Sequence, residues 1–180
     1  MPRPDIDLGV GSGSHAEQTA RIMVAFEEVC LRENPDLVIV VGDVNSTMAC
    51  AITAKKLSVA VAHVEAGLRS RDMTMPEEIN RLCTDVLCDY LFTTDRLADA
   101  NLAREGVAAE RIFFVGNVMI DTLLKHRAMA AHLGLRQRLG LAPGGYATLT
   151  LHRPSNVDDR QSLLGILEAL AEIAETMPIV

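Results

Sequence analysis

The sequence predicts an α/β protein built on a Rossmann-like parallel sheet flanked by helices. Three observations point there. Leu37-Val38-Ile39-Val40-Val41 is a short, β-branched, unbroken apolar run, the pattern of a strand covered on both faces of a parallel sheet. Similar short runs recur at Val59-Ala60-Val61-Ala62-His63-Val64, Tyr90-Leu91-Phe92-Thr93 and Ile112-Phe113-Phe114-Val115-Gly116. Between them lie stretches with apolar residues at helical spacing, and strand–helix alternation at this rhythm makes a doubly wound sheet.

In chain order, residues 1–14 are rich in Pro, Asp, Gly and Ser and read as loop. Ser14 is an N-cap with Glu17 three residues on to complete a capping box. Ile22, Met23, Phe26, Val29 and Cys30 then give a helix over 15–32 its apolar stripe, and Asn34-Pro35 stops it. After the first strand, Gly42-Asp43 turns the chain, and Asn45 or Ser46 caps a helix to residue 57. In the second strand His63 and Glu65 share a face, because alternate residues point the same way. Residues 66–76 form a loop, and Pro76 opens a helix that ends near Cys88. Thr94 caps a helix over 95–105, which Gly106 ends. A helix over 118–130 follows the fourth strand.

Residues 131–145, closing on Leu141-Ala142-Pro143-Gly144-Gly145, read as a linker. It joins an incomplete N-terminal Rossmann-like domain, 1–130, to the start of a second one, 146–180. The second piece has a strand over 146–151 and a helix over 159–176. The chain enters with a loop and a helix rather than a strand, and it leaves at Pro178-Ile179-Val180, where another strand opens. Such edges predict a piece of a larger protein.

Composition narrows the function. A net charge of −7 disfavours phosphate-backbone binding, and no Trp, two Tyr and four Phe leave little to stack on bases, so nucleic acid is not an expected partner. A small anion is compatible, because local charge sets a site, and Arg69, Arg71, Arg81 and Arg153 flank the motifs below. Cys30, Cys50, Cys83 and Cys88 form no CxxC and have no histidine at zinc-ligand spacing. They read as buried reduced thiols, in keeping with a cytoplasmic protein. No apolar run reaches the about 20 residues of a membrane helix, and the start lacks an apolar signal core. No ligand set for a metal and no nicotinamide motif is visible, so no cofactor is expected.

Chemistry concentrates in Val41-Gly42-Asp43-Val44-Asn45-Ser46-Thr47, in His63-Val64-Glu65-Ala66-Gly67-Leu68-Arg69 and in Pro76-Glu77-Glu78-Ile79-Asn80-Arg81. Strand ends of an open α/β sheet face one crevice. Each acid has a plainer reading. Asp43 can be a turn residue, Glu65 can pair with Arg69 or Arg71, and Glu77 with Glu78 can answer the helix macrodipole. Company argues for function: three acids delivered to one crevice, with arginines close behind, suit proton transfer on an anionic substrate. Three carboxylates together cannot all ionise cheaply, so at least one is expected to hold a proton more tightly. His152-Arg153 at a later strand end, with Asn156 nearby, suits a phosphate grip. His15, His126 and His132 read as helix-face residues. Gly11-Ser12-Gly13-Ser14 lacks the preceding strand and trailing Lys of a nucleotide loop.

Six segments together resemble one family, the non-hydrolysing UDP-N-acetylglucosamine 2-epimerases. They are Gly-Ser-His-Ala-Glu-Gln-Thr (13–19), Val-Gly-Asp-Val-Asn-Ser-Thr (41–47), His-Val-Glu-Ala-Gly-Leu-Arg (63–69), Pro-Glu-Glu-Ile-Asn-Arg (76–81), Val-Gly-Asn-Val-Met-Ile-Asp (115–121) and Leu-His-Arg-Pro-Ser-Asn-Val (151–157). The resemblance implies two Rossmann-like domains facing across a cleft, as in glycosyltransferases of the B type, with this chain the middle of such a protein and the whole commonly a homodimer. It places the family's carboxylates on Asp43, Glu65 and Glu77 and its UDP-contacting histidine on His152. Arg69, Arg81, Arg153 and Asn156 become substrate-binding positions. Pro154 and Ser155 stand where many bacterial members carry Arg-Glu in a pattern tied to substrate regulation. The implied reaction inverts C2 of UDP-GlcNAc to give UDP-ManNAc, by elimination of UDP to 2-acetamidoglucal and re-addition from the other face. Rival expectations are a hydrolysing relative releasing ManNAc and UDP, a glycosyltransferase of similar architecture, and a catalytically incompetent piece that only binds or assembles.

Overall fold

A computed structural model describes residues 3–180. The chain resolves into two compact units that divide between Asp121 and Thr122.

The first unit holds helix α1 (His15–Glu33), strand β1 (Leu37–Val41), helix α2 (Asn45–Lys56), strand β2 (Ala60–Ala66), helix α3 (Pro76–Leu87), strand β3 (Tyr90–Thr93), helix α4 (Arg96–Arg104) and strand β4 (Ile112–Phe114). The four strands are parallel and lie in chain order, β1-β2-β3-β4. Right-handed crossovers in that order put α2, α3 and α4 on one face. Val38, Val40, Val61 and Leu91 point into that layer and form the core with Ala51, Ala54 and Leu102 from the helices.

The opposite face is open. Leu37, Ile39 and Val41 are exposed on β1, as are Tyr90 and Phe113, whose rings lie 6.2 Å apart. This corrects the expectation of a first strand covered on both faces. The run has the two-sided apolar composition, but the described residues supply a helical layer for only one side.

Local signals account for most boundaries. The Ser14 hydroxyl accepts from the Glu17 amide at 3.2 Å, as an N-cap should. The capping box is only half made, because the Glu17 carboxylate pairs with Arg21 one turn on. Neither Asn45 nor Ser46 caps α2. Val44 holds that position without a side-chain bond, and Asn45 is released for other partners. Pro76 starts α3 as expected, whereas Asp95, not Thr94, caps α4 by accepting from the Ala98 amide at 2.8 Å.

β2 departs from plain alternation. Its pairing with β3 shifts between Val64 and Ala66, and Glu65 adopts a left-handed backbone with φ 73°. His63 and Glu65 therefore do not share a face. His63 is fully buried, while Glu65 is half-buried.

In the second unit, helix α5 (Val118–His132), which spans the division, is followed by α6 (Leu135–Arg138), α7 (Pro154–Val157) and α8 (Arg160–Ala174). Helix α6 lies inside the stretch expected to be linker. Asp159 caps α8 by accepting from the Ser162 amide at 2.8 Å. The strand expected over 146–151 is reduced to a parallel bridge between Ala147 and Ile179, because Pro178–Val180 are the residues that pair with it. Among the described residues no helix is long and apolar enough to cross a membrane.

Candidate functional site

The carboxyl ends of β1 and β2 and the first turn of α3 meet at one edge of the first unit. Gly42 leaves β1 with φ 71°, a conformation that costs an L side chain energy, and so turns Asp43 outward from the sheet. The Asp43 carboxylate then accepts from Arg81 at 2.5 Å, and its backbone carbonyl accepts from the Asn80 side-chain Nδ2 at 2.8 Å. One turn of α3 thus grips Asp43 at both ends.

Glu65 reaches the same place through the irregularity in β2. Its Oε2 would lie 3.6 Å from a Cβ placed on Gly42, so the carboxylate covers the turn that delivers Asp43. Glu77 stands in the first turn of α3, four residues before Arg81 and on the same helical face. Asp43 and Glu65 therefore meet at Gly42, and α3, which carries Glu77 in its first turn, reaches Asp43 through Asn80 and Arg81.

The two glutamates that open α3 have separate jobs. Glu78 is 2 % exposed and turned inward. It accepts from the Ser70 amide at 2.9 Å, the Arg71 amide at 3.0 Å and Arg81 Nε at 3.0 Å. Burial opposes its ionisation, but the backbone donors of Ser70 and Arg71, with Arg81, outweigh burial and lower its pKa to about 2. Glu78 is a charged anchor for the 66–75 loop, and through Arg81 it also holds Asp43.

A polar chain extends the site across three helix N-termini. Asn45, first in α2, has its amide nitrogen 3.1 Å from His15 Nδ1 and donates to Gln18 at 2.8 Å. Asn80 lies 3.3 Å from the Asn45 oxygen. The first turns of α1, α2 and α3 are thus tied together, and their positive dipole ends favour an anionic ligand. A cavity of about 390 Å³ opens between them, with His15, Asn45, Pro76 and Asn80 in its wall and Met23 and Met48 as apolar lining.

Arg69 does something other than expected. Its side chain is 3 % exposed, bridging Asp85 at 2.7 Å and Glu105 at 2.6 Å, with a further bond to its own Leu68 carbonyl. Burial pulls the guanidinium towards neutrality, yet the carboxylates of Glu105 and Asp85 outweigh it and hold the charge more firmly than in an ordinary arginine. Arg69 is an internal strut. Nor does it pair with Glu65, the plainer reading of that acid.

His152, Arg153 and Asn156 belong to the second unit and share one corner there. The His152 ring nitrogen lies 3.4 Å from the Thr150 hydroxyl, and the Arg153 carbonyl accepts from the Asn156 amide at 2.8 Å in the turn that opens α7. His152 and Arg153 are exposed.

Asp85, Asn80 and Asn45 were not singled out as site residues from sequence. Asp85 carried a usable signal: it is a lone charge among Leu82, Cys83, Thr84, Val86 and Leu87 on a buried helix, where a carboxylate needs a partner. Asn45 and Asn80 carried none, since an asparagine near a helix start has an ordinary capping role.

Known proteins match along nearly the whole chain. The family model for UDP-N-acetylglucosamine 2-epimerase matches residues 1–180. The UDP-N-acetylglucosamine 2-epimerase of Methanocaldococcus jannaschii is 44 % identical over 97 % of this chain and 49 % of its own length. The UDP-2,3-diacetamido-2,3-dideoxy-D-glucuronate 2-epimerase of Pseudomonas aeruginosa is 46 % identical over 96 % of this chain and 48 % of its own. The crystal structure of the M. jannaschii enzyme with UDP-GlcNAc and UDP superposes with a TM-score of 0.86, covering 97 % of this chain and 49 % of that one. The structure of the Rickettsia bellii UDP-N-acetylglucosamine 2-epimerase, 30 % identical, gives 0.88 over 99 % of this chain and 47 % of that one. The chain spans about half the length of the curated relatives it matches. A sheet edge bearing acids on the family's motifs, a whole-chain family match and these superpositions lead to one conclusion: this chain belongs to the UDP-N-acetylglucosamine 2-epimerase family.

Proposed function

We propose that the protein of which this chain is part interconverts UDP-GlcNAc and UDP-ManNAc without net hydrolysis. What supports the reading is that Glu65 lies over Gly42, the residue before Asp43, while α3, which carries Glu77, holds Asp43 through Asn80 and Arg81. The C2 proton of the sugar is not acidic enough for simple abstraction, so the step is written as an elimination. One acid takes the C2 proton as the C1–O bond breaks. UDP departs with the bonding electron pair, leaving 2-acetamidoglucal. UDP then adds back at C1, and C2 is reprotonated on the opposite face. Two of the acids serve as base and acid on the two faces. The charge developing on the departing diphosphate is met by donors, a role we assign to His152 and Arg153 with Asn156. The helix N-termini tied through Asn45 favour the same anionic substrate. The route draws on no metal and no nicotinamide, and the full-length protein acts as a cytoplasmic homodimer.

The test is turnover of the full-length enzyme in heavy water. Deuterium at C2 of the product, with free 2-acetamidoglucal and UDP trapped on the way, is the expected result. Product that keeps its original C2 hydrogen overturns the elimination. Free ManNAc accumulating in step with UDP assigns the hydrolysing reaction instead. The P. aeruginosa relative is named for a diacetamido-glucuronate, so a second reading is an epimerase of that more anionic sugar. Relative kcat/KM for the two nucleotide sugars decides between them.

A further inference from the structure

We infer that His63 and Asp85 form a positioning couple that sets both reacting acids, Asp43 and Glu65, at once. His63 is fully buried on β2, and both of its ring nitrogens face acceptors. Nδ1 lies 2.6 Å from Asp85 Oδ1, and Nε2 lies 2.8 Å from the carbonyl of Gly42. A carbonyl oxygen can only accept, so Nε2 carries a proton. The Asp85 carboxylate also takes the Gly67 amide at 3.0 Å and Arg69 at 2.7 Å on its other oxygen, so it ties the ring to both of those groups. The buried ring is thus held at both nitrogens.

Two consequences follow from where these bonds land. Gly42 is the residue before Asp43, so the Nε2 bond fixes the turn that delivers one acid. On the other side, Asp85 holds His63 and Gly67, the residues two before and two after Glu65. Gripping both flanks with one carboxylate shortens the span between them, and the strand answers with the register shift and the φ of 73° at Glu65. That bend is what turns the Glu65 carboxylate over Gly42. One buried His–Asp pair therefore sets the spacing of two acids, one just beyond β1 and one on β2, which no single helix or strand does. His63 and Asp85 touch no substrate in this account. The inference rests on the reading of Asp43 and Glu65 as the reacting acids.

The test uses the full-length enzyme. Asp85→Asn and His63→Gln are expected to lower kcat on the order of 100-fold, the size of loss that ångström misplacement of a reacting group brings. KM for UDP-GlcNAc should stay within about threefold, because the couple does not touch the ligand. Folded variants with kcat near the parent value overturn the inference, and so does a loss carried by KM alone. Nitrogen-15 NMR of the histidine-labelled parent enzyme gives an answer that does not depend on either variant folding. The His63 Nε2 should carry a slowly exchanging proton bonded to the Gly42 carbonyl, and a bare or freely exchanging Nε2 overturns the couple. If instead Asp43→Asn and Glu65→Gln retain turnover while the NMR signature holds, it is the assignment of the reacting acids that fails.

Discussion

Arg81 donates to Asp43 at 2.5 Å across 38 residues of sequence, and the same guanidinium lies 2.9 Å from Glu78. That one side chain links a carboxylate placed for chemistry to a carboxylate used as an anchor. Arg81→Met should therefore act twice. It strips a buried partner from Glu78, which costs about 3 kcal/mol of stability, and it frees Asp43 to move. Denaturant unfolding of the full-length protein should show the loss, and turnover should fall with it. Arg69→Met makes the contrast. It should lower stability through Asp85 and Glu105, with no selective rise in KM.

The acids themselves should be indispensable. In the full-length enzyme Asp43→Asn, Glu65→Gln and Glu77→Gln are each expected to lower epimerisation by at least about 100-fold, the usual scale of a lost acid or base. Far-ultraviolet circular dichroism should be unchanged, since all three lie at the edge of the sheet. Near-normal turnover in all three would remove the proposed site.

Glu78 ties stability to pH. Its folded pKa, about 2, lies below the ordinary 4.5. The charged form is thus favoured in the folded state, and the contribution is fully present above pH 4.5. It is lost as the pH falls from there towards 2. Glu78→Gln should be less stable than the parent at neutral pH, and the gap between the two should narrow through that acid window. Parallel denaturation curves at several pH values check it.

Two glycines with similar backbones should behave differently when changed to alanine. A Cβ on Gly67 would meet the Ala98 carbonyl oxygen at 2.6 Å and the Leu102 side chain at 3.0 Å, in addition to the strain of φ 78°. Gly67→Ala should cost about 3 kcal/mol, because backbone must move. A Cβ on Gly42 would meet only Glu65 Oε2, at 3.6 Å, so Gly42→Ala should cost about 1 kcal/mol from the left-handed turn. Thermal unfolding should rank them in that order, with Gly42→Ala the more damaging to turnover relative to its effect on stability.

The thiols should react unequally. Burial pushes Cys50 to about 11 and Cys88 to about 12, and Cys30 is buried as well, whereas Cys83 is exposed on α3. Brief alkylation of the native full-length protein, read peptide by peptide, should label Cys83 before the other three. This refines the uniform expectation of buried thiols, since an apolar helical context does not say which side of the helix faces out.

Much of the fold was legible because its signals are local. The runs at 37–41 and 90–93, the Ser14 cap and Pro76 at the head of α3 depend on neighbouring residues, and short-range sterics and hydrogen bonds enforce them. That Asp43 and Glu65 lie at one edge could be anticipated from strand ends in a parallel sheet. The bend at Glu65 could not, because alternation along β2 predicts the opposite face. It arises from Asp85, on a helix that the sequence places 18 residues beyond Gly67. The role of Arg69 was hidden for the same reason: an arginine beside a motif looks the same whether its partner is a ligand or Glu105, 36 residues on.

The sequence by itself determined the alternation of strands and helices, the family motifs and which acids are candidates, since these are written in adjacent residues and fixed spacings. Only the tertiary structure decided which of the two α3 glutamates turns inward, that Arg69 is held in buried ion pairs and His63 by buried hydrogen bonds, and which side of the sheet is open. Those outcomes depend on charges meeting across the fold, where burial penalises an unpaired group by several kcal/mol and so selects partners that lie far apart along the chain.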